Sequence, residues 1–176
     1  MGTTPEYLLD ETENKTPTVR PASAELVPVT GKLLKLVGYV EAGVWREAVQ
    51  IDDDEQRTRP VQESPAFDGF DQYLLQVVGR SMDMFYQPGA LLHCVELDYG
   101  PRHIHLQDGD HVIVQREVGG KVETTVKELE GGRLWPRSTD PRFDGPVQVG
   151  VHEEETVSIK ALVISSIAPR PNLLGR

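Results

Sequence analysis

Two side chains in this sequence, Ser81 and Lys127, have the types and settings for hydrolytic chemistry. Ser81 ends the segment Tyr73-Leu-Leu-Gln-Val-Val-Gly-Arg-Ser81, which reads as a strand breaking at Gly79. Lys127 lies inside Glu123-Thr-Thr-Val-Lys-Glu-Leu129, a β-branched run. A serine hydroxyl is a weak nucleophile until a base takes its proton. A lysine can be that base only when neutral, and burial in an apolar wall supplies the condition, because desolvation disfavours the ammonium form. Both residues also have a plainer reading. Serines after glycine turns are common, and strand lysines often sit on solvated faces or guard sheet edges. Residue type alone does not decide between the two.

A third element upstream does: Val37-Gly-Tyr-Val-Glu-Ala-Gly-Val-Trp45. Together the three segments resemble the LexA and phage-repressor family of self-cleaving serine peptidases, over residues 36–168. The resemblance implies that an Ala-Gly bond, here Ala42-Gly43, is cut by the chain's own Ser81, activated by Lys127. Ala42 precedes Ser81 by 39 positions and Lys127 follows it by 46 (81 minus 42; 127 minus 81). Asp108-Gly-Asp-His-Val-Ile-Val-Gln115 resembles the family's Gly-Asp turn into a strand. Leu134-Trp-Pro-Arg-Ser138 resembles its apolar-Pro-polar segment. The chain departs from the pattern in a longer serine-to-lysine interval, with residues 91–104 reading as an insertion. It also has Pro88-Gly89-Ala90 where a Gly-Asp turn is expected, and Glu41 before the Ala-Gly.

Under this resemblance, Ser81 Oγ attacks the Ala42 carbonyl, and Lys127 takes its proton and returns it to the Gly43 amine. Backbone N–H groups of Arg80 and Ser81 are the expected oxyanion donors, with Gly79 allowing the turn that aims them. Thr125 lies on the same strand face as Lys127 and either orients the amine or simply fills the strand. Val40 and Val44 are candidate anchors of the cut segment. Tyr39 and Trp45 are expected in core or loop packing. No cofactor is required.

Composition narrows the alternatives. The chain has 176 residues, enough for one domain with a core plus a tail. It contains no apolar run approaching a membrane span and no signal segment at its start, which argues against a membrane-anchored signal peptidase and for a cytoplasmic protein. The single cysteine, Cys94, lies in an apolar run and is expected as a reduced core thiol. Net charge is −10 and the basic residues are scattered, so this polypeptide is not expected to grip DNA itself. The acidic runs Asp52-Asp-Asp-Glu55 and Glu153-Glu-Glu155 read as solvated turns. His103 and His105 share a strand face in this reading but lack a third ligand for a metal.

The chain is expected to be mainly β: short twisted strands and hairpins of the LexA-like peptidase type, preceded by a flexible N-terminal arm. Residues 1–32 read as a linker or the remnant of an upstream helix-turn-helix domain. Residues 33–170 form the autoproteolysis and dimerisation domain, and 171–176 a flexible tail. Thr4-Pro-Glu-Tyr-Leu-Leu-Asp10 resembles the segment closing phage-type helix-turn-helix domains; it reads equally as an incidental capped turn. Expected strands are 33–37 and 39–41 with a break at Gly38, then 73–78, 90–97, 110–116, 121–129 and 156–167. Residues 82–86 are expected as a short helix capped by Ser81, and Gly119-Gly120 as a hairpin turn.

The resemblance further implies a homodimer that reaches operator DNA only through an upstream domain, with a RecA–DNA filament or an antirepressor as trigger. Three functions follow. The first is the autoproteolytic domain of an SOS- or prophage-type transcriptional repressor. The second is a non-cleaving dimerisation and effector-binding domain. The third is a UmuD-like accessory factor of translesion synthesis.

Overall fold

The structure, a computed structural model, describes residues 31–42, 51–52, 56–97, 103–143, 145–151 and 155–169. They belong to one compact unit spanning residues 31–176. Among the described residues ten strands make up almost all of the regular structure: β1 (Leu33–Ala42), β2 (Arg57–Gln62), β3 (Gln72–Gly79), β4 (Leu91–Glu96), β5 (His111–Val118), β6 (Lys121–Glu130), β7 (Arg133–Trp135), β8 (Val147–Gln148), β9 (Gly150–Val151) and β10 (Glu155–Ile167). Among the described residues there is no α-helix, only a 3-10 turn at Pro65–Phe67. The mainly-β expectation holds. No helix among them is long and apolar enough to cross a membrane.

The strands are neighbours in the order β2-β1-β3-β4-β10-β5-β6-β7-β8, with β9 on β10. One further pairing, Glu41 with Thr125, joins β1 to β6 in parallel. That contact closes β1, β3, β4, β10, β5 and β6 into a ring. Its interior is filled by Val40, Leu75, Val77, Met82, Leu92, Cys94, Ile113, Val126 and Ala161, all buried. Cys94 is thus a core thiol, its pKa pushed up by burial. A second cluster, Val112, Val114, Leu134 and Val157, packs on the other face of β5. Strand alternation explains the split: Ile113 faces inward while its neighbours Val112 and Val114 face the other cluster.

Several local expectations change. Gly38 does not end a strand; β1 runs through it, and its pairing with β3 shifts register between Leu36 and Gly38. A glycine inside a strand pattern marks an irregularity more often than an end. Residues 91–104 are not a simple insertion, because they open with β4, which lies between β3 and β10 in the core. His103 and His105 lie outside any strand, their rings 5.9 Å apart edge to face. Tyr39 is exposed at 38%, not core. Glu155 begins β10 and reaches Arg116 at 3.4 Å, so it is no free turn residue. Gly119-Gly120 does form the β5–β6 hairpin, with φ of +56° and +78°, as a two-residue turn of the primed type requires.

Candidate active site

The far end of β1 positions one half of the site. β1 pairs with β3 up to Ala42 opposite Gly79, so the backbone of Ala42 ends where β3 ends. Gly43, Val44 and Trp45 lie outside the described residues, and the Ala42-Gly43 bond is therefore described on its Ala42 side alone. Gly79 has φ +90°, a conformation that a side chain disfavours, and the chain bends there at the end of β3.

The segment after Gly79 is not the expected helix. Residues 81–85 form successive turns, with Asp83 N–H donating to Arg80 O at 3.1 Å and Phe85 and Tyr86 N–H to Met82 O at 2.9 and 2.7 Å. The Met82 side chain, 0% exposed, anchors this turn in the core. Burying it is worth about 1.5–3 kcal/mol. With Met82 turned inward, Ser81 points the other way, and it too is 0% exposed.

Strand β6 supplies the second half. Lys127 pairs with Val112 and Thr125 with Val114, which places both on the face away from Val126. Lys127 is 4% exposed and Thr125 is buried. Lys127 Nζ donates to Ser81 Oγ at 3.0 Å and to Thr125 Oγ1 at 3.1 Å. Thr125 Oγ1 in turn donates to the Glu41 carbonyl at 2.7 Å. Thr125 thus links β6 to the end of β1. Its single proton is spent on Glu41, so its oxygen must accept from Lys127. Loss of the ammonium proton reverses the Ser81 contact: a neutral amine has two N–H groups and one lone pair, and with one N–H on Thr125 the lone pair can accept from Ser81 Oγ–H.

Burial pushes the Lys127 amine down to about 8, against an ordinary value of 10.5. Its sequence neighbour Glu128 does not counter this, because alternation turns that carboxylate to the opposite face, where Arg137 and His111 engage it. The Arg137 hydrogen bond holds the Glu128 carboxyl below its usual value.

Of the residues expected from the sequence, Ser81, Lys127 and Thr125 come together, with Gly79 at the bend and Ala42 at the adjoining strand end. Arg80 is exposed and contributes backbone to the turn. Four side chains around the site were not anticipated individually: Arg137, Glu128, His111 and Tyr86. Arg137 N–H donates to the Ser81 carbonyl at 2.8 Å, and Tyr86 Oη is hydrogen-bonded to His111 Nδ1. The signal for Glu128 was its alternation with Lys127 along β6. Arg137 stood in the Leu134–Ser138 segment already singled out. Among the described residues no group of His, Cys, Asp and Glu could hold a metal ion.

A search of curated proteins found no match. A comparison with protein-family models gave one that covers most of the chain, Peptidase S24-like, over residues 35–164, with Ala42, Ser81, Thr125 and Lys127 all inside the matched span. The chain belongs to the Peptidase S24-like family.

Proposed function

We propose that the domain is an autoproteolytic serine peptidase that cuts its own Ala42-Gly43 bond with a Ser81–Lys127 dyad. The observation carrying this reading is the chain of hydrogen bonds from buried Ser81 through buried Lys127 and Thr125 to the Glu41 carbonyl, one residue before the scissile bond. Nucleophile, base and substrate strand share one network. Membership of the S24 family supports serine peptidase chemistry.

In this mechanism Ser81 Oγ bonds to the Ala42 carbonyl carbon while its proton passes to Lys127 Nζ. Backbone N–H groups of Arg80 and Ser81 are the proposed donors to the oxyanion. Collapse breaks the Ala42–Gly43 C–N bond, and Lys127 returns the proton to the departing Gly43 amine. Water, deprotonated by Lys127, then hydrolyses the Ala42 ester and restores Ser81. With a pKa of about 8, roughly a tenth of Lys127 is neutral at pH 7. Because the substrate is tethered, no affinity for a separate molecule is needed.

The regulatory reading extends this. The domain serves a cytoplasmic homodimeric repressor, operator DNA is bound through an upstream domain, and cutting relieves repression. The net charge of −10 supports leaving DNA contact to another domain. Intact-mass analysis after alkaline incubation without added protease tests the chemistry. Fragments ending at Ala42 and starting at Gly43 are expected from the wild type and not from Ser81→Ala. A cut elsewhere, or equal cutting in both, contradicts it.

A further inference from the structure

We infer that Arg137 is a positioning residue for the nucleophile, clamping the turn that carries Ser81 onto the strand that carries Lys127. The inference rests on the Ser–Lys reading above and assigns what holds the two side chains in register.

The turn of residues 80–86 needs such a brace. It is not a helix, and its own backbone bonds leave the Ser81 carbonyl to be met from outside. Arg137 N–H meets it at 2.8 Å, and the Arg137 carbonyl accepts from Met84 N–H at 3.2 Å, so one residue grips the turn twice. Two residues on, Thr139 donates to the Asp83 carboxylate from N–H and Oγ1 at 2.8 and 2.9 Å. The segment that grips the turn is itself a strap following β7. Arg137 ties it to β6, with Nη2 2.6 Å from both Glu128 Oε1 and Glu130 Oε2.

These contacts close a circuit. Ser81 is bonded to Arg137, Arg137 to Glu128, Glu128 is covalently next to Lys127, and Lys127 returns to Ser81. The register of β6 shows where the turn sits. On one edge β6 pairs with β5 from Lys121 to Glu128; on the other it meets β1 at Thr125 and β7 from Glu128 onward. The turn spans that interval, with Ser81 at Lys127 on one face. On the other face Tyr86 reaches His111, which lies opposite Glu128.

Ion pairs open to solvent contribute little stability, and the Glu130 side chain is 54% exposed. Positioning is a different quantity. A displacement of about 1 Å in a reacting group can cost on the order of 100-fold in rate. The expected signature is therefore a cleavage rate that falls far more than stability does.

The test measures self-cleavage against pH, with melting curves, for wild type, Arg137→Ala, Arg137→Lys and Glu130→Gln in the full chain. Arg137→Ala should lower the alkaline limiting rate about 10- to 100-fold while the pH midpoint stays that of the wild type, because Lys127 remains buried. Arg137→Lys should recover most of the rate, since one nitrogen contacts both carboxylates. Glu130→Gln, which leaves the better-buried Glu128 in place, should lose less than Arg137→Ala. Wild-type cleavage in Arg137→Ala, a shifted midpoint, or an Arg137→Lys variant as slow as Arg137→Ala would overturn the assignment. If Arg137→Ala does not fold, the Lys and Gln variants decide it: a loss in Glu130→Gln exceeding that in Arg137→Lys contradicts the clamp. A wild type that stays uncut at every pH would instead overturn the dyad reading, and this inference with it.

Discussion

Lys32 and Lys127 flank opposite ends of β1 and are driven in opposite directions. Lys32 stands just before the strand, its ammonium 2.9 Å from Glu63 and its side chain 79% exposed. The Glu63 hydrogen bond and charge raise its pKa. Lys127, on β6 beside the other end, is 4% exposed and has hydroxyl partners, Ser81 and Thr125, in place of a carboxylate. Burial therefore goes uncompensated and the amine is pushed down to about 8. The difference teaches what makes a base of a lysine. An acidic partner locks the proton on, whereas a dry site with neutral hydrogen-bond partners loosens it. Cys94 makes the same point for nucleophiles: it is as buried as Ser81, but its thiol donates to the Leu92 carbonyl at 3.6 Å, and burial favours its protonated form.

The largest effects should come from the low-pKa end. Ser81→Ala is expected to remove self-cleavage, by about 1,000-fold or more, with little change in the melting temperature. Lys127→Met should be as inactive but more stable. The sign follows from linkage: a folded pKa of about 8 below an unfolded value near 10.4 means the native state binds fewer protons. The cost is therefore full below about pH 8 and vanishes as pH rises towards the unfolded value. It is on the order of 3 kcal/mol, so thermal melting at pH 7 should show Lys127→Met at or above the wild type. A clear fall would put Lys127 in a favourable ion pair instead.

Thr125→Val should come next, slowing cleavage by roughly 10- to 100-fold, because it strips both the lysine and the Glu41 carbonyl of a partner. Thr125→Ser should retain most of the rate in the same time course. At the other end of β1, Lys32→Ala should leave cleavage unchanged and move the melting temperature by no more than about 2 °C. A large loss there would erase the contrast between the two lysines.

The elements that could be read from the sequence were those with local causes. Gly119-Gly120 marks a hairpin by its backbone demands, and the alternation of Thr125, Val126 and Lys127 puts threonine and lysine on one face. The candidate pair Ser81 and Lys127 was legible because each sits in a short motif, with Ala42-Gly43 in a third. What escaped depends on contacts distant in sequence. Residues 82–86 have helical-looking composition, but their bonds to Arg137 and Thr139 hold a turn instead. Gly38 reads as a break, yet β3 stays paired with β1 from Leu36 to Ala42 and carries the strand through it. Arg137 lies 56 positions from Ser81, and only the folded β6–β7 hairpin brings its backbone there (137 minus 81).

The central claim, that Lys127 is the base, is tested most directly by following its side-chain carbon resonance through a pH titration in uncut Ser81→Ala protein. The account predicts a midpoint near 8, coinciding with the midpoint of the wild-type cleavage rate. A lysine titrating near its ordinary 10.5, or a cleavage profile that does not follow its ionisation, would contradict it.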